Sequence, residues 1–109
     1  MSWSIKYLDE VKEDFNNLDG SQKISVRKAI KKTLLNPLPR SEGGYGIPLG
    51  KKGNVDLTNF LEIKLQGSGI RVVYKLIRTE TEMLIIVVGM REDEEVYGTA
   101  QKRIDIYGL

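Results

Sequence analysis

Apolar and polar positions alternate at the start of the chain, where Trp3, Ile5 and Tyr7 are separated by Ser4 and Lys6, the period of a half-buried strand. The spacing then changes. Leu8, Val11, Phe15 and Leu18 recur at three and four residues, which predicts a helix with Gly20 as its stop. A second helix starts near Asp19 or Ser21, either of which can cap it, and runs to Asn36 before Pro37 closes it. Val26, Ala29, Ile30, Thr33 and Leu34 form its apolar stripe, while Lys23, Arg27, Lys28, Lys31 and Lys32 gather on the opposite side. Between Asn36 and Asn54 lie all three prolines and five of the eleven glycines, so a long loop is expected there, and long loops often bind.

From Leu57 the pattern is β, with Leu61, Ile63 and Leu65 on one face and Phe60, Glu62 and Lys64 on the other. Beyond Gly67-Ser68-Gly69, Ile70, Val72, Tyr74 and Leu76 oppose Arg71, Val73, Lys75 and Ile77. A loop from Gln66 to Gly69 makes Leu65 meet Ile70 and sets Lys64 opposite Arg71. "MLIIVV", apolar on both faces and preceded by the "TET" turn, reads as an inner strand. Val96, Tyr97, Ala100, Ile104 and Tyr107 give a last amphipathic helix, with the acids Glu92 to Glu95 at its start and Lys102 and Arg103 in its last turn. The order β-α-α-β-β-β-α predicts one α+β domain spanning residues 1–109: a small, mostly antiparallel sheet with an N-terminal helical hairpin and a short C-terminal helix. The helices are expected on one face. The other is expected to hold Lys64 and Arg71 in solvent.

Cysteine and histidine are both absent, which removes disulfides, thiolate zinc sites, cysteine nucleophiles and Ser-His-Asp arrangements. Acid–base chemistry falls to Lys, Arg, Tyr, Asp or Glu. The net charge of +2 hides a segmentation: residues 21–52 hold eight cations against Glu42 alone, whereas residues 1–20 and 92–109 are each net −3. A polyanion would feel the middle rather than the average. The longest apolar run, Met83 to Met90, is far shorter than the ~20 residues of a membrane span. "MSWSIKYLDE" has no signal-peptide pattern, so a cytoplasmic location is expected.

Two cations face to face on a strand pair weaken it unless something negative lies between them. A phosphate is one such group, because it turns their repulsion into shared attraction; solvated, screened strand cations are the plainer reading. Arg91, just past the apolar strand, is placed either to aim into a cleft or to pair with the acids that follow it. Glu62 shares the face of Lys64 and can tether it.

"EIKLQGSGIRVVYKL" and "IIVVGMREDEEVYGTAQKRI", with Lys64, Arg71, Arg91 and Tyr97 at this spacing, resemble the RelE toxins of the RelE/ParE superfamily over most of the chain. The resemblance implies a metal-independent, cofactor-free endoribonuclease that cuts mRNA in the ribosomal A site and is neutralised by a cognate antitoxin. It further implies that Lys64 takes the proton of the ribose 2′-hydroxyl, Arg71 contacts the scissile phosphate, Arg91 protonates the leaving oxygen, and Tyr97 stacks on or orients the nucleotide. A free lysine is a poor base at neutral pH, its unperturbed pKa lying near ~10.4, and a neighbouring guanidinium would lower that value. Arg71 is thus expected to prime Lys64. The chain departs from the family pattern at Glu62 and Asp93, where basic residues are common; Lys51, Lys52 or Lys75 could then supply further phosphate contacts. A ParE-like gyrase inhibitor on the same fold, and a non-catalytic RNA- or ribosome-binding module, are the competing readings.

Overall fold

The computed structural model describes residues 2–92 and 95–109. Its elements are β1 (Ser4–Tyr7), α1 (Val11–Asn16), α2 (Gly20–Leu34), β2 (Ile47–Lys52), β3 (Val55–Lys64), β4 (Ile70–Ile77), β5 (Glu82–Met90) and α3 (Glu95–Tyr107). One five-stranded sheet has the order β1-β5-β4-β3-β2, antiparallel throughout except for the parallel β1–β5 pair. The fold class is α+β, as the pattern predicts. Asp93 and Glu94, half of the acid run, lie outside the described residues.

Three local expectations change. Gly20 is not a stop: α1 ends at Asn16, and Gly20 opens α2 behind the N-cap Asp19. The Asp19 carboxylate accepts from the Gln22 N–H at 2.8 Å while the Gln22 side chain accepts from the Asp19 N–H at 2.9 Å, a reciprocal capping box. Second, Ile47–Lys52 is a strand rather than loop. Pro48 is tolerated because β2 is an edge strand, and an edge does not need every N–H.

Third, helices cover both faces of the sheet. Ala29 and Thr33 of α2 lie over the face of Ile63, Leu65 and Ile70, and Tyr74 on that same face donates its buried hydroxyl to the Pro37 carbonyl at 2.7 Å. α3 lies on the other face, where a Cβ at Gly89 would stand 3.3 Å from Val96. Val73 and Val87 on that face are buried together with Val96, Tyr97 and Ala100 of α3. A sheet with valines on both sides needs two covers, because each apolar side chain left in water forgoes about 1.5–3 kcal/mol of burial.

Two bulges shape what α3 meets. The β2–β3 register slips between Pro48 and Gly50, and Asn59 in the longer strand is left-handed at φ 76°. Bulges bend a ribbon, and the far end of this one reaches α3, with the Lys52 ammonium 5.4 Å from the centre of the Tyr97 ring. In β5, Val73 pairs with Val87 and Tyr74 with Ile85, so Ile86 is the extra residue and its carbonyl leaves the ladder. Arg103 of α3 donates to that carbonyl at 3.0 Å and grips Asp14 of α1 through two bonds of 2.6 and 2.9 Å. The same carboxylate accepts from the Val88 N–H at 3.1 Å. α1 and α3 are thereby joined around the sheet edge that β1 is too short to cover.

Candidate functional site

The β3–β4 hairpin has the register read from its glycines. Leu65 N–H donates to the Ile70 carbonyl at 3.1 Å, Lys64 stands opposite Arg71, and Gly67 and Gly69 adopt φ of 80° and 75°, conformations that side chains oppose. The Arg91 N–H donates to the Gly69 carbonyl at 2.8 Å, fixing the residue after β5 against the hairpin turn. Arg71 pairs with Gly89, and Arg91 follows Gly89 by two positions, exposed just past the end of β5 at the same end of the sheet as Arg71 and Lys64. Lys64, Arg71 and Arg91 are gathered at one end of the sheet by backbone pairing alone.

The face of Lys64 and Arg71 is not the open one expected. α3 covers it, so the Arg71 side chain is only 11% exposed, whereas Lys64 emerges at the rim with 42%. Beneath them Glu62 is wholly buried, with one carboxylate oxygen 3.9 Å from both the Lys64 ammonium and Arg71 Nε. Those separations are too long for hydrogen bonds, and among the described residues neither Glu62 oxygen nor Arg71 Nε has a hydrogen-bond partner. Arg71 does donate through its terminal nitrogen to the Ile70 carbonyl at 3.0 Å. The unbalanced cation pair expected to prime Lys64 is therefore a three-charge cluster with its anion built in, and the like-charge repulsion of the register is offset from within.

Tyr97 descends on this cluster from α3. Burial, and after it the Glu62 carboxylate, push its hydroxyl up to about 12, against a smaller opposing effect of Arg71. The hydroxyl faces Glu62 without closing a hydrogen bond of regular geometry. Its ring is buried and capped by Lys52, so a base could stack on it only after Lys52 withdraws. Lys52 thus joins the constellation. Lys51 does not: it is exposed near the far end of the ribbon, opposite Asp56. Lys75 is four residues along β4 from Arg71, with its ammonium 5.5 Å from the Phe60 ring. Lys28 and Lys32 of the basic α2 stripe, with Arg40, line a groove of about 620 Å³ that runs between α2 and the hairpin and has Lys64 in its wall. Only the basic stripe of α2 announced it.

No family model matches the chain. Over 104 residues it is 27% identical to the mRNA interferase toxin RelE of Escherichia coli strain K12, an alignment covering 95% of this chain and 99% of that protein. The solved structure of an arginine-to-alanine double mutant of Escherichia coli toxin RelE in the free state matches with a TM-score of 0.72 at 25% identity, across 95% of this chain and 99% of the other. The chain resembles RelE toxins in sequence over nearly its whole length and shares their fold. The RelE-type fold also appears in the intact Escherichia coli RelBE toxin–antitoxin complex, with a TM-score of 0.62 at 19% identity over 82% of this chain and 96% of the other, a likeness of fold alone.

Proposed function

We propose that this protein is the toxin of a type II toxin–antitoxin pair and acts as a ribosome-dependent mRNA endoribonuclease. Support comes from the end-to-end match to an mRNA interferase, together with the placing of Lys64, Arg71 and Arg91 at one end of the sheet beside Tyr97. RNA carries its own nucleophile, so a site without histidine or metal suffices if it orients the ribose and neutralises the charge growing on phosphorus. In this reading Lys64, at the exposed rim, accepts the 2′-hydroxyl proton while the 2′-oxygen forms a bond to phosphorus. The bond from phosphorus to the 5′-oxygen breaks, and Arg91 supplies the proton to that oxygen. Arg71 holds the non-bridging oxygens, and the products are a 2′,3′-cyclic phosphate and a 5′-hydroxyl end. Tyr97 orients the neighbouring nucleotide. The partner in the resting state is a small antitoxin, as in the RelBE complex, and both proteins act in the cytoplasm.

The test is purified protein incubated with ribosomes carrying a defined mRNA and, separately, with gyrase and supercoiled DNA. Cleavage in the A-site codon with a cyclic phosphate end supports the reading. Gyrase inhibition with intact mRNA would replace it by the ParE-like alternative, and ribosome binding without cut ends by a non-catalytic one.

A further inference from the structure

We propose that Glu62 is an internal stand-in for the RNA phosphate: its buried carboxylate sits between Lys64 and Arg71, and a substrate phosphate must compete with it for both cations. The inference rests on the nuclease reading and concerns how strongly that site holds RNA. Three observations carry it. Glu62 is wholly buried, yet neither of its oxygens is hydrogen-bonded among the described residues. Among the described residues the charged groups within 4 Å of it are those two cations, each at 3.9 Å; the Tyr97 hydroxyl lies beside it without closing a bond of regular geometry, and Arg71 Nε is likewise buried without a hydrogen-bond partner. A carboxylate buried for stability alone would be expected to close on its partners, because long contacts return little of the desolvation cost.

The arrangement instead fits an anion that holds two cations in place and stays loosely bound to each. A phosphate at the rim, where Lys64 reaches solvent, draws Lys64 and Arg71 toward itself and leaves Glu62 as a nearby negative charge opposing it. Glu62 is therefore a positioning residue that acts through Arg71 and Lys64. It keeps the cations together when no RNA is bound and weakens the grip on RNA that nothing else presents. Free transcripts are poor ligands, and cleavage depends on a second body, the ribosome, delivering the phosphate.

The test compares wild type, Glu62→Gln, Glu62→Asp and Glu80→Gln for binding of a short single-stranded RNA across a salt series, alongside cleavage of mRNA on programmed ribosomes. Glu80 is exposed and sits at the far end of β4, so its variant matches the change in net charge without touching the cluster. At an effective dielectric near ~20 a unit charge ~7 Å from the phosphate is worth roughly fiftyfold in affinity, and solvent screening at the exposed rim cuts this to about tenfold. Glu62→Gln is expected to bind RNA about tenfold tighter, with a salt slope steeper by roughly 0.7, the value for one more cation available to a single strand. Glu62→Asp should stay near wild type and Glu80→Gln within about twofold of it. On ribosomes, KM should fall for Glu62→Gln while kcat does not rise. Equal affinity and equal slope for wild type and Glu62→Gln overturn the inference, as does an equal gain from Glu80→Gln. If wild type cleaves on ribosomes while these outcomes occur, the nuclease reading stands and only the role of Glu62 falls. If wild type neither binds RNA nor cleaves, both fall.

Discussion

Replacing Arg103 by Ala should be strongly destabilising, because this one side chain ties α3 to α1 and to the sheet. The guanidinium closes two bonds to Asp14 and one to the Ile86 carbonyl, and the two side chains are only 13% and 11% exposed. Among the described residues, its loss leaves a largely buried carboxylate held only by the Val88 N–H, and a bulge carbonyl without its Arg103 donor. Breaking a buried pair from one side costs about 3–5 kcal/mol, and the residual water access at this edge puts the expectation at about 3 kcal/mol. With a urea dependence of about 1–1.5 kcal/mol per molar for a domain this small, the midpoint should drop by about 2–3 M. Hydrogen exchange at the Val88 amide should accelerate together with exchange in α3, because one side chain anchors both. Asp14→Leu with Arg103→Met, an apolar pair, should recover most of the loss, since removing both charges leaves neither stranded. A loss below about 1 kcal/mol, or one that simply adds to that of Asp14→Leu, would refute the view that this pair seals the edge.

Tyr74→Phe removes the hydroxyl that reaches the Pro37 carbonyl at 2.7 Å in a fully buried setting; denaturant unfolding should show a loss of about 1–2 kcal/mol, and no loss would mean that the bond is idle. At Gly44 a Cβ would overlap the Leu38 carbonyl, so Gly44→Ala should destabilise by about 1–3 kcal/mol, whereas Ala at Gly20, where nothing lies within 4 Å, should be neutral or mildly stabilising by melting temperature. The Tyr97 hydroxyl ionises near 12 in the fold and near 10 in the unfolded chain, so the folded state holds the proton longer. That contribution is complete below about pH 10 and is lost as pH climbs toward 12. Tyr74, raised by burial, acts in the same direction. Tyr97→Phe should remove one late-ionising tyrosine from an ultraviolet titration and flatten the alkaline fall in stability; an unchanged titration would contradict the buried placement of the ring.

The hairpin was readable from sequence because Gly67 and Gly69 leave few ways to reverse the chain, and one register puts Leu65 on Ile70 and Lys64 on Arg71. β2 was not, because prolines and glycines mark loops in general and nothing local says that Pro48 will lie on an edge. The α3 stripe announced that Val96, Tyr97 and Ala100 would be buried but not beneath which face, and period-two alternation assigns a side without saying whether that side is wet. Glu62 falls in this gap. Alternation set it beside Lys64 correctly; the expectation of solvent on that face holds for Lys64 at the rim and fails for Arg71, because α3 roofs the site and buries Glu62 beneath it. Arg91 was placed at a strand end by pattern; its union with the other cations depends on the Gly69 contact, which joins segments more than twenty residues apart.

In the proposed activity these cations cut translated mRNA. Sequencing the 5′ ends of cellular transcripts shortly after inducing the protein without its antitoxin measures this most directly. The expected result is a burst of new 5′-hydroxyl ends confined to reading frames, absent when Lys64→Ala is induced to the same level. Growth arrest with no new ends, or identical ends from the Lys64→Ala protein, would contradict it.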